Sequence, residues 1–372
     1  MPDTLTQIEV TTRRYIDEQP KLRDLVFNKD PFMSFLDENC LDEVEGGSSW
    51  NDNIEYDVQD GGSYSKGQDL PADQRQIEQQ LRFDPRFQTV LIPFYKEDIK
   101  VINNGPLAVV KLVEERTDSA YMQLGAQTAL QLYLQGQTGS YVKLINGLME
   151  ALSDGTNNGL DGATYPIYGT LTRSTYGGRM VPAQPVAVNG AITLPTLETA
   201  YQNCNFGSGE YEPNLLVTTP KCQGFIRNNY QTQQRFVNVA VGKAGFRGLE
   251  YNGAVIVAGR YVPGSYLQQS AGTNDRVATR YFTYTTSGVI TRYPSLSGNI
   301  VSGTEGESLW VLNARKPMIK YRRSKNSPYN GNLDDDGFIP SAGNTKIVGK
   351  VLLAHNLSVL PGYHNYLMGI TS

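Results

Sequence analysis

The sequence of residues 48–92 is SSWNDNIEYDVQDGGSYSKGQDLPADQRQIEQQLRFDPRFQTVLI. From Ile54 to Gln59, apolar side chains alternate with acidic and polar ones, which is the two-residue period of a strand with one buried face. Gly61-Gly62 and the polar residues after it predict a turn, and a second extended run follows from Gln76 to Leu91. We therefore predict a long hairpin with arms of roughly 10 to 15 residues, at about 3.3 Å per residue.

This hairpin cannot be stable by itself, since an isolated two-stranded hairpin is marginal in water. Its apolar side must be covered by another part of the chain or by another copy of it. Because the sequence shows no core beneath the alternating strands, we predict that the hairpin projects from the body and packs mainly against other subunits.

A long helix is predicted after the hairpin. Asn103-Asn104-Gly105-Pro106 provides a capping residue and a first-turn proline, and Gly136 marks the end. A helix of about 30 residues would be roughly 45 Å long, well above the usual length of about 11 residues. Its apolar positions recur mostly every three or four residues, at Leu107, Val110, Val113, Ala120, Tyr121, Leu124, Thr128 and Leu132.

The rest of the chain divides into a thin arm and a second compact region. Residues 1–45 carry too few apolar side chains to form a core of their own. Residues 264–307 are polar and turn-rich, and we interpret them as an insertion on an exposed surface. The second region is predicted to contain helices that begin near Thr193 and Thr219-Pro220, a buried strand at Leu215–Thr218, a tight hairpin at Asn252-Gly253, and strands at 309–312, 318–321, 347–353 and 357–360.

The composition favours a surface that is covered by protein partners. The 372 residues include 33 basic and 37 acidic side chains, for a net charge of −4, and charged residues make up 19% of the chain. A typical soluble domain has about 25%. The 23 tyrosines fit the same interpretation, because tyrosine is enriched at protein interfaces. A β-rich monomer with many strand tyrosines explains the composition equally well.

No residues in the sequence combine into an enzymatic or metal-binding motif. His355 and His364 have no nucleophile or carboxylate motif around them, and no phosphate-binding glycine pattern is present. Cys40, Cys204 and Cys222 have no metal-like spacing and predict a reducing compartment. The sequence shows no secretion signal and no apolar run of about 18 residues. We therefore expect no enzymatic activity, no cofactor, no metal and no membrane span.

Two charged stretches allow more than one interpretation. Asn332–Gly337 looks like the start of a calcium loop, but Gly343 stands where a glutamate ligand is needed, so an acidic surface turn is favoured. The second stretch is a basic cluster, comprising Arg315, Lys316, Lys320, Arg322, Arg323 and Lys325. It fits a solvated strand face, a nucleic-acid patch, or a contact with the acidic segment of another copy, Asp37, Glu38, Asp42, Glu43 and Glu45.

The order of these parts resembles the α+β fold of major capsid proteins of tailed bacteriophages, the HK97-like capsid fold, which encapsulins share. The stretches that carry the resemblance are Asn214–Pro220, Gly248–Val257, Leu309–Asn313 and Val351–Leu353, within the architecture described above. The resemblance implies an N-arm at 1–47, an E-loop hairpin at 48–92 and a P domain at 93–190 with a spine helix at 106–135. It further implies an A domain at 191–340, with the insertion at 264–307, and a return to the P domain at 341–372.

A chain of this family is a structural protein rather than an enzyme. The resemblance implies self-assembly into pentamers and hexamers of an icosahedral shell, which encloses double-stranded DNA and contacts it non-specifically. It implies portal, scaffolding and decoration proteins as partners, and a place in the virion capsid after assembly in the host cytoplasm. Because no long helical segment precedes the arm in this sequence, we expect scaffolding to be a separate protein.

Other classes of protein remain as alternatives. An encapsulin-like cage would enclose protein cargo, and a tail-tube subunit would have long hairpins but no long helix. An enzyme would need clustered titratable groups, which the sequence does not show. For the capsid interpretation, the residues predicted at subunit interfaces are Asp37, Glu38, Asp42, Glu43, Ile54, Tyr56, Val58, Arg315, Arg322 and Arg323.

Some members of this fold join their subunits covalently, through a lysine of the E-loop and an asparagine of a neighbouring P domain, with a nearby carboxylate as the base. Here Lys66 would be the lysine, and the available asparagines are Asn344, Asn356 and Asn365. Residues 337–372 contain no aspartate or glutamate, so this segment cannot supply the base. Since a lysine with an ordinary pKa of about 10.4 is almost always protonated, we predict non-covalent contacts alone.

Overall fold

The computed structural model describes residues 10–16, 30–57, 62–67, 76–97, 106–137, 143–156, 164–182, 186–205, 207, 211–231, 238–241, 246–259, 261–264, 283–286, 289–292, 306–340 and 345–371. Helices and strands are mixed along these residues, which confirms the predicted α+β class. The helices are residues 10–16 (α1), Pro31–Asn39 (α2), Pro106–Gln131 (α3), Leu148–Ala151 (α4), Arg173–Tyr176 (α5), Leu194–Asn203 (α6) and Pro220–Gln231 (α7).

The strands fall into two large sheets and three small hairpins. In chain order they are Leu41–Val44 (β1), Trp50–Glu55 (β2), Glu78–Phe83 (β3), Arg86–Tyr95 (β4), Ile167–Tyr168 (β5), Leu171–Thr172 (β6), Val186–Gly190 (β7), Leu215–Thr218 (β8), Asn238–Val241 (β9), Phe246–Tyr251 (β10), Ala254–Ala258 (β11), Thr283–Thr286 (β12), Val289–Arg292 (β13), Glu307–Leu312 (β14), Ile319–Ser324 (β15), Asn330–Leu333 (β16), Ile339–Pro340 (β17), Lys346–Val359 (β18) and Asn365–Ile370 (β19).

The longest strand, β18, organises a sheet of six described strands. β4 pairs antiparallel with it along one edge, and β15, β16 and β17 pair with it along the other edge. β1 extends the sheet beside β15 in parallel orientation. α3 packs against β4, where Thr128 donates a hydrogen bond to Gln88, and Val90, Ile92 and Phe94 are buried on the same side as Gln88. One face of this sheet is therefore covered by the long helix.

A second sheet of seven described strands has the order β7-β19-β14-β8-β11-β10-β9. α6 packs on β19, and α7 packs on β11 and β14. The predicted helix start is confirmed, since the Thr193 side chain caps α6, and β8 is buried at every residue, as predicted. Asn252 and Gly253 have φ angles of +46° and +81°. These are the left-handed conformations of the type I′ turn that the dipeptide predicted.

The second arm of the predicted hairpin is two separate strands. Only β3 pairs with β2, whereas β4 begins after Asp84-Pro85 and joins the six-stranded sheet. Proline has no N–H to donate to a strand ladder, so Pro85 suits the break between β3 and β4. The hairpin strands therefore end at Phe83, and the prediction that the hairpin continues to residue 92 is wrong.

The C-terminal segment also differs from the prediction. Residues 346–359 form one strand where two were predicted, and β19 was not predicted. β19 lies between β7 and β14 in the seven-stranded sheet, whereas β18 belongs to the six-stranded sheet. The assignment of residues 341–372 to the P domain stays a prediction. β7, which lies within the predicted P domain, joins the same sheet as β19. Every residue of β19 is buried, which removes the two-residue pattern of a half-buried strand.

The base of the hairpin lies on its own chain. Phe83 packs against Tyr168 with ring centroids 5.2 Å apart, and the Arg82 N–H donates to the Gly169 carbonyl. Gly169 has a φ of +53°, and a Cβ there would lie 2.8 Å from Leu81 Cδ2, so a side chain would push the hairpin away. Ile54 is buried as well. The prediction that no core lies beneath these strands is therefore wrong for the base of the hairpin.

The N-terminal arm contributes to the core of this chain. α1 lies beside α3, where the Tyr15 hydroxyl donates to Asp118 over 3.0 Å. α2 buries Phe32, Met33 and Leu36 in the main hydrophobic core. α3 itself begins at Pro106, as predicted, and has 26 residues, so it ends before the predicted residue 135.

Only part of the predicted insertion lies among the described residues. β12 and β13 pair with each other in a separate two-stranded sheet. Both strands lie within the predicted insertion at 264–307. The surface location of residues 264–307 stays a prediction.

Candidate assembly surfaces

The acidic and basic segments singled out in the sequence meet along two neighbouring strands. The parallel register of β1 and β15 sets Asp42 opposite Arg322 and Glu43 opposite Arg323. Arg322 Nε lies 3.2 Å from an Asp42 carboxylate oxygen, and Arg323 Nη2 lies 3.0 Å from Glu43. Arg323 also reaches Asp37 on α2, at 3.3 Å. The predicted charge complementarity is present, but it acts within one chain rather than between two copies.

This contact arises because β1 is the edge strand next to β15, so the arm is already part of the sheet. Ion pairs that are partly exposed to solvent contribute at most about 1 kcal/mol each. We name the ion pairs of Asp37, Asp42 and Glu43 with Arg322 and Arg323 the charge ladder. The charge ladder therefore specifies the position of the arm more than it stabilises the chain. Whether the same side chains also contact a neighbouring subunit stays a prediction.

The other predicted interface residues are scattered. Glu38 is exposed on α2, and Arg315 donates to the Glu212 carbonyl beside the seven-stranded sheet. Ile54 is buried, and Tyr56 contacts Tyr176 edge to face, with ring centroids 4.9 Å apart. Val58 lies outside the described residues. The structure therefore brings together the arm acids and Arg322 and Arg323, but not Arg315, Glu38 or the hairpin residues.

The sequence analysis missed Asp52, which is the most buried acid of the charge cluster. It points inward from β2 and is 4% exposed. Lys320 Nζ lies 2.5 Å and Arg322 Nη2 lies 2.7 Å from one carboxylate oxygen, and the Ser358 hydroxyl donates to the other. The signal available in the sequence was an acidic residue among the alternating apolar residues of β2. Its partners are 268 and 270 residues further along the chain, so the sequence alone could not identify them.

α3 covers one face of the six-stranded sheet, and the opposite face carries exposed apolar side chains. Phe87, Leu91 and Tyr95 of β4 alternate with the buried residues of that strand and are 66%, 49% and 43% exposed. The pairing register sets Lys350 of β18 beside Leu91, and Lys346 beside Tyr95, on this same face.

Two neighbouring strands extend this exposed surface. The Tyr329 ring, just before β16, contacts Phe87 with centroids 5.7 Å apart, and Ile339 of β17 is paired with Val348 of β18. Both Tyr329 and Ile339 are exposed. We name the set Phe87, Leu91, Tyr95, Tyr329 and Ile339 the open apolar face.

A buried polar network follows the end of α3. Glu150 is fully buried and accepts hydrogen bonds from the Gly136 N–H and from the Gln137 and Asn146 side chains. Burial raises the pKa of the Glu150 carboxyl, and burial lowers the pKa of Arg173 to about 10. Arg173 donates to four backbone carbonyls of residues 150–180. These charges hold the turns between α3 and α5 together.

This network also reaches one of the asparagines considered for cross-linking. The Asn356 amide donates to Asn146 and to the Asp84 carbonyl, and its oxygen accepts from the Asn146 and Leu357 N–H groups. A carboxylate, Glu150, therefore lies one side chain away, although residues 337–372 supply none. Asn356 is 1% exposed, and both amide protons are engaged, so an incoming amine has no path to it. Asn365 is buried too, Asn344 lies outside the described residues, and Lys66 is exposed.

The histidines and cysteines are buried and inert. Burial lowers the pKa of His355 and of His364 to about 3, so both rings are neutral at pH 7. His364 Nδ1 accepts the Asn313 N–H, and His355 Nδ1 contacts the Tyr321 hydroxyl. Burial raises the pKa of each of the three thiols, Cys40, Cys204 and Cys222, to about 12, which disfavours the reactive thiolate.

The acidic turn that looked like a calcium loop is held by the N-terminal arm. Arg13 of α1 donates to the backbone carbonyls of Asp334 and Asp335, at 3.1 and 3.3 Å. The Gly337 N–H donates back to the Asp334 carbonyl and closes the turn. The Arg13 guanidinium thus fixes the backbone of the acidic turn to the N-terminal arm.

The described residues contain neither a candidate metal site nor a candidate membrane-spanning helix. No group of three or more His, Cys, Asp or Glu side chains is placed to hold a metal ion. None of the helices in the described ranges has the combination of length and apolar composition that crossing a bilayer requires.

Replacing His364 with glutamine should reduce the acid sensitivity of the fold. An unfolded histidine binds a proton below a pKa of about 6.5, whereas folded His364 does so only near 3, so stability is lost as the pH falls below about 6.5. From pH 7 to pH 5 the loss is about 2 kcal/mol for one such histidine. Glutamine keeps an oxygen that can accept from Asn313.

The measurement is the free energy of unfolding in urea, for the parent and for His364→Gln, at pH 7 and at pH 5. The variant should lose about 2 kcal/mol less than the parent between these two pH values. Because other groups titrate equally in both proteins, they cancel in this difference. Equal losses would mean that His364 is not held neutral by burial.

No family model and no curated protein sequence matches this chain. Solved structures do match. The capsid asymmetric unit of cyanophage A-1(L) has a TM-score of 0.57 at 12% identity, over 92% of this chain and 93% of that chain. The capsid of the native GTA particle has a TM-score of 0.52 at 9% identity, over 91% and 90% of the two chains.

An encapsulin matches as well. The holo-SrpI encapsulin complex from Synechococcus elongatus PCC 7942 has a TM-score of 0.51 at 10% identity, over 91% of this chain and 87% of that chain. The matches span nearly the whole length of each chain, so they concern the complete architecture rather than one sheet. The two sheets, the long helix and the hairpin of this chain therefore form the HK97-like capsid fold, which the phage capsids and the encapsulin share.

Proposed function

We propose that this chain is the major capsid protein of a tailed bacteriophage and has a structural rather than an enzymatic role. It would assemble into pentamers and hexamers of an icosahedral shell around double-stranded DNA. The observation that carries the proposal is the open apolar face, on a sheet whose other face is covered by α3. Exposed apolar side chains that share one face of a sheet are typical of a site of protein association.

The arrangement of the hairpin suggests what covers that face. β18 side chains on the side of the open apolar face include Lys350 and, further along the strand, Ser358, which binds Asp52 of the hairpin. The chain's own hairpin thus covers the end of this sheet face near Ser358. It leaves uncovered the end that carries the open apolar face. We infer that the hairpin of a neighbouring copy covers the open end.

Charge supports the same occupant. In sequence, the segment between β2 and β3 contains four acidic residues, Asp57, Asp60, Asp69 and Asp73, and two basic ones, Lys66 and Arg75. The open apolar face is flanked by Lys346 and Lys350. Opposite charges at the rim of an interface steer partners together and set their register. In this proposal Tyr56, one of the predicted interface residues, lies near the contact.

Repetition of one such contact produces a closed assembly. A head-to-tail contact, in which the hairpin of one copy meets the sheet of the next, generates a ring when its rotation closes. Rings of five and six would supply the vertices and faces of a shell. Portal, scaffolding and decoration proteins, non-specific contacts with packaged DNA, assembly in the host cytoplasm and a place in the virion capsid all belong to this proposal.

An encapsulin-like cage is the second candidate, because an encapsulin shares the fold over most of both chains. The contents of the particle distinguish the two. Shells isolated from infected cells should contain double-stranded DNA if the chain is a phage capsid protein. A single enclosed enzyme and no DNA would favour the encapsulin-like cage.

Replacing Leu91 with lysine should block assembly without unfolding the chain. The new ammonium lies at the centre of the open apolar face, next to Lys350, so it opposes burial by a neighbour. Leu91 is already half exposed, and the unfolding midpoint should therefore stay within a few degrees of the parent.

Negative-stain imaging and sedimentation of particles from cells that make the protein together with the other head proteins of the phage are the measurements. The parent should form closed shells, and Leu91→Lys should reduce their yield at least tenfold. Met122→Lys is the matched control, since Met122 is exposed and apolar but lies on α3. Parent shells at normal yield from Leu91→Lys would contradict the role of this face, and a parent that never forms particles would contradict the function.

The shell should be held together without covalent links between subunits. Asn356 and Asn365 are buried, and Asn356 is fully hydrogen-bonded, so no amide in this part of the described chain is accessible to Lys66 of another copy. Mature particles boiled in SDS should give one band at the chain mass of 41.1 kDa. A ladder of linked multimers that disappears in Lys66→Arg particles would contradict this prediction.

A further inference from the structure

Asp52 is out of place in the strand that carries it. On β2 the side chains of Trp50, Asp52 and Ile54 point inward and are all buried, and Leu81 of β3 lies opposite Asp52. The other two inward residues, Trp50 and Ile54, are apolar, and so is Leu81 opposite Asp52. A carboxylate among them carries a desolvation cost, which an apolar side chain of similar size would avoid.

Three partners compensate this buried carboxylate. Lys320 and Arg322 are two residues apart on β15, and Ser358 lies opposite Lys320 on β18, so all three project from one face of the six-stranded sheet. Charge-assisted hydrogen bonds require a defined direction, which apolar contacts do not. The contact therefore fixes where the hairpin crosses the sheet and at what angle.

The connections of the hairpin do not fix its direction. It joins β1 through residues 45–49, Glu-Gly-Gly-Ser-Ser, and it joins β4 through Asp84-Pro85. Nothing lies within 4 Å of the position a Cβ would take at Gly46, and the Asn326 side chain holds this link at its first residue, where it donates to the Glu45 carbonyl. The apolar contacts at the base of the hairpin, around Phe83 and Tyr168, hold the hairpin against the rest of the chain. The Arg82 N–H also donates to the Gly169 carbonyl, which ties β3 to the chain at one point and leaves the angle about that point to the contacts of β2 with the sheet.

We propose that Asp52 is the positioning residue of the hairpin, and that its role is to select one direction of the hairpin rather than to stabilise the chain. A buried ion pair that specifies an arrangement at little net gain in stability is a known use of such pairs. In a shell the direction of the hairpin determines which part of the neighbour it meets. This last step rests on the proposed function, whereas the selection of direction concerns the single chain.

The test replaces the polar contact with an apolar one of similar size. The variant Asp52→Leu with Lys320→Met removes both charges, and Arg322 keeps its contacts with Asp42 and the Asn51 carbonyl. Glu78→Gln is the control, because Glu78 is exposed on the paired strand β3. Spin labels on Lys66→Cys, in the hairpin, and Glu115→Cys, on α3, report the direction as a distance distribution. The native cysteines are buried and will not take the label.

The unassembled parent and Glu78→Gln should give one narrow distance distribution. The apolar variant should give a distribution at least twice as broad, with an unfolding midpoint within about 5 °C of the parent. Where shells form, parental shells should have one diameter and those of the variant several. A narrow, unshifted distribution in the variant would overturn the proposal, and so would a large fall in the midpoint, which would make Asp52 a stability residue.

The distance measurement needs no shell, so it separates this proposal from the proposed function. If the parent forms no particles, the capsid function fails while the distance distributions still decide the role of Asp52. If the parent forms uniform shells and the variant shows a narrow distribution, the capsid function stands and the role of Asp52 is refuted.

Discussion

The six-stranded sheet has two faces, and a single chain covers only one and a part of the other. α3 buries the inner side of β4, while the base of the hairpin crosses the outer side near Ser358. Neither α3 nor the hairpin covers the open apolar face, which remains in contact with water. Exposed apolar area at about 25 cal/mol per Å² favours association, so the fold of one chain leaves a surface that a second copy can fill. The other features of the molecule affect where that second copy lies relative to the first.

The charge ladder determines which groups remain for contacts between copies. Because Asp37, Asp42 and Glu43 pair with Arg322 and Arg323 of their own chain, these charges are largely satisfied before any assembly. They tie the arm, the sheet and the start of the hairpin into one unit. We propose that recognition between copies depends mainly on the open apolar face, on the lysines beside it and on the acidic residues between β2 and β3.

Sequence patterns predicted those elements whose signals are local. The cap at Thr193, the start of α3 at Pro106 and the turn at Asn252-Gly253 each depend on a few adjacent residues, and each was found as predicted. β19 escaped because burial on both sides removes periodicity. The break at Asp84-Pro85 escaped because β3 and β4 both alternate, and a proline at the junction was not weighed.

The candidate surfaces were less predictable, since they depend on contacts between distant parts of the chain. The pairing of acidic and basic segments followed from charge alone, but its location within one chain needed the register of β1 and β15. Phe87, Leu91 and Tyr95 have the same pattern as core residues of a strand. Only the position of α3 on the other side of β4 shows that these three are exposed.

The most direct test of this account is a cryo-electron microscopy structure of the assembled particle. We expect a closed shell in which the hairpin of each neighbouring copy lies over Phe87, Leu91 and Tyr95, and these side chains become buried. A closed shell in which all three remain exposed to solvent would contradict the account.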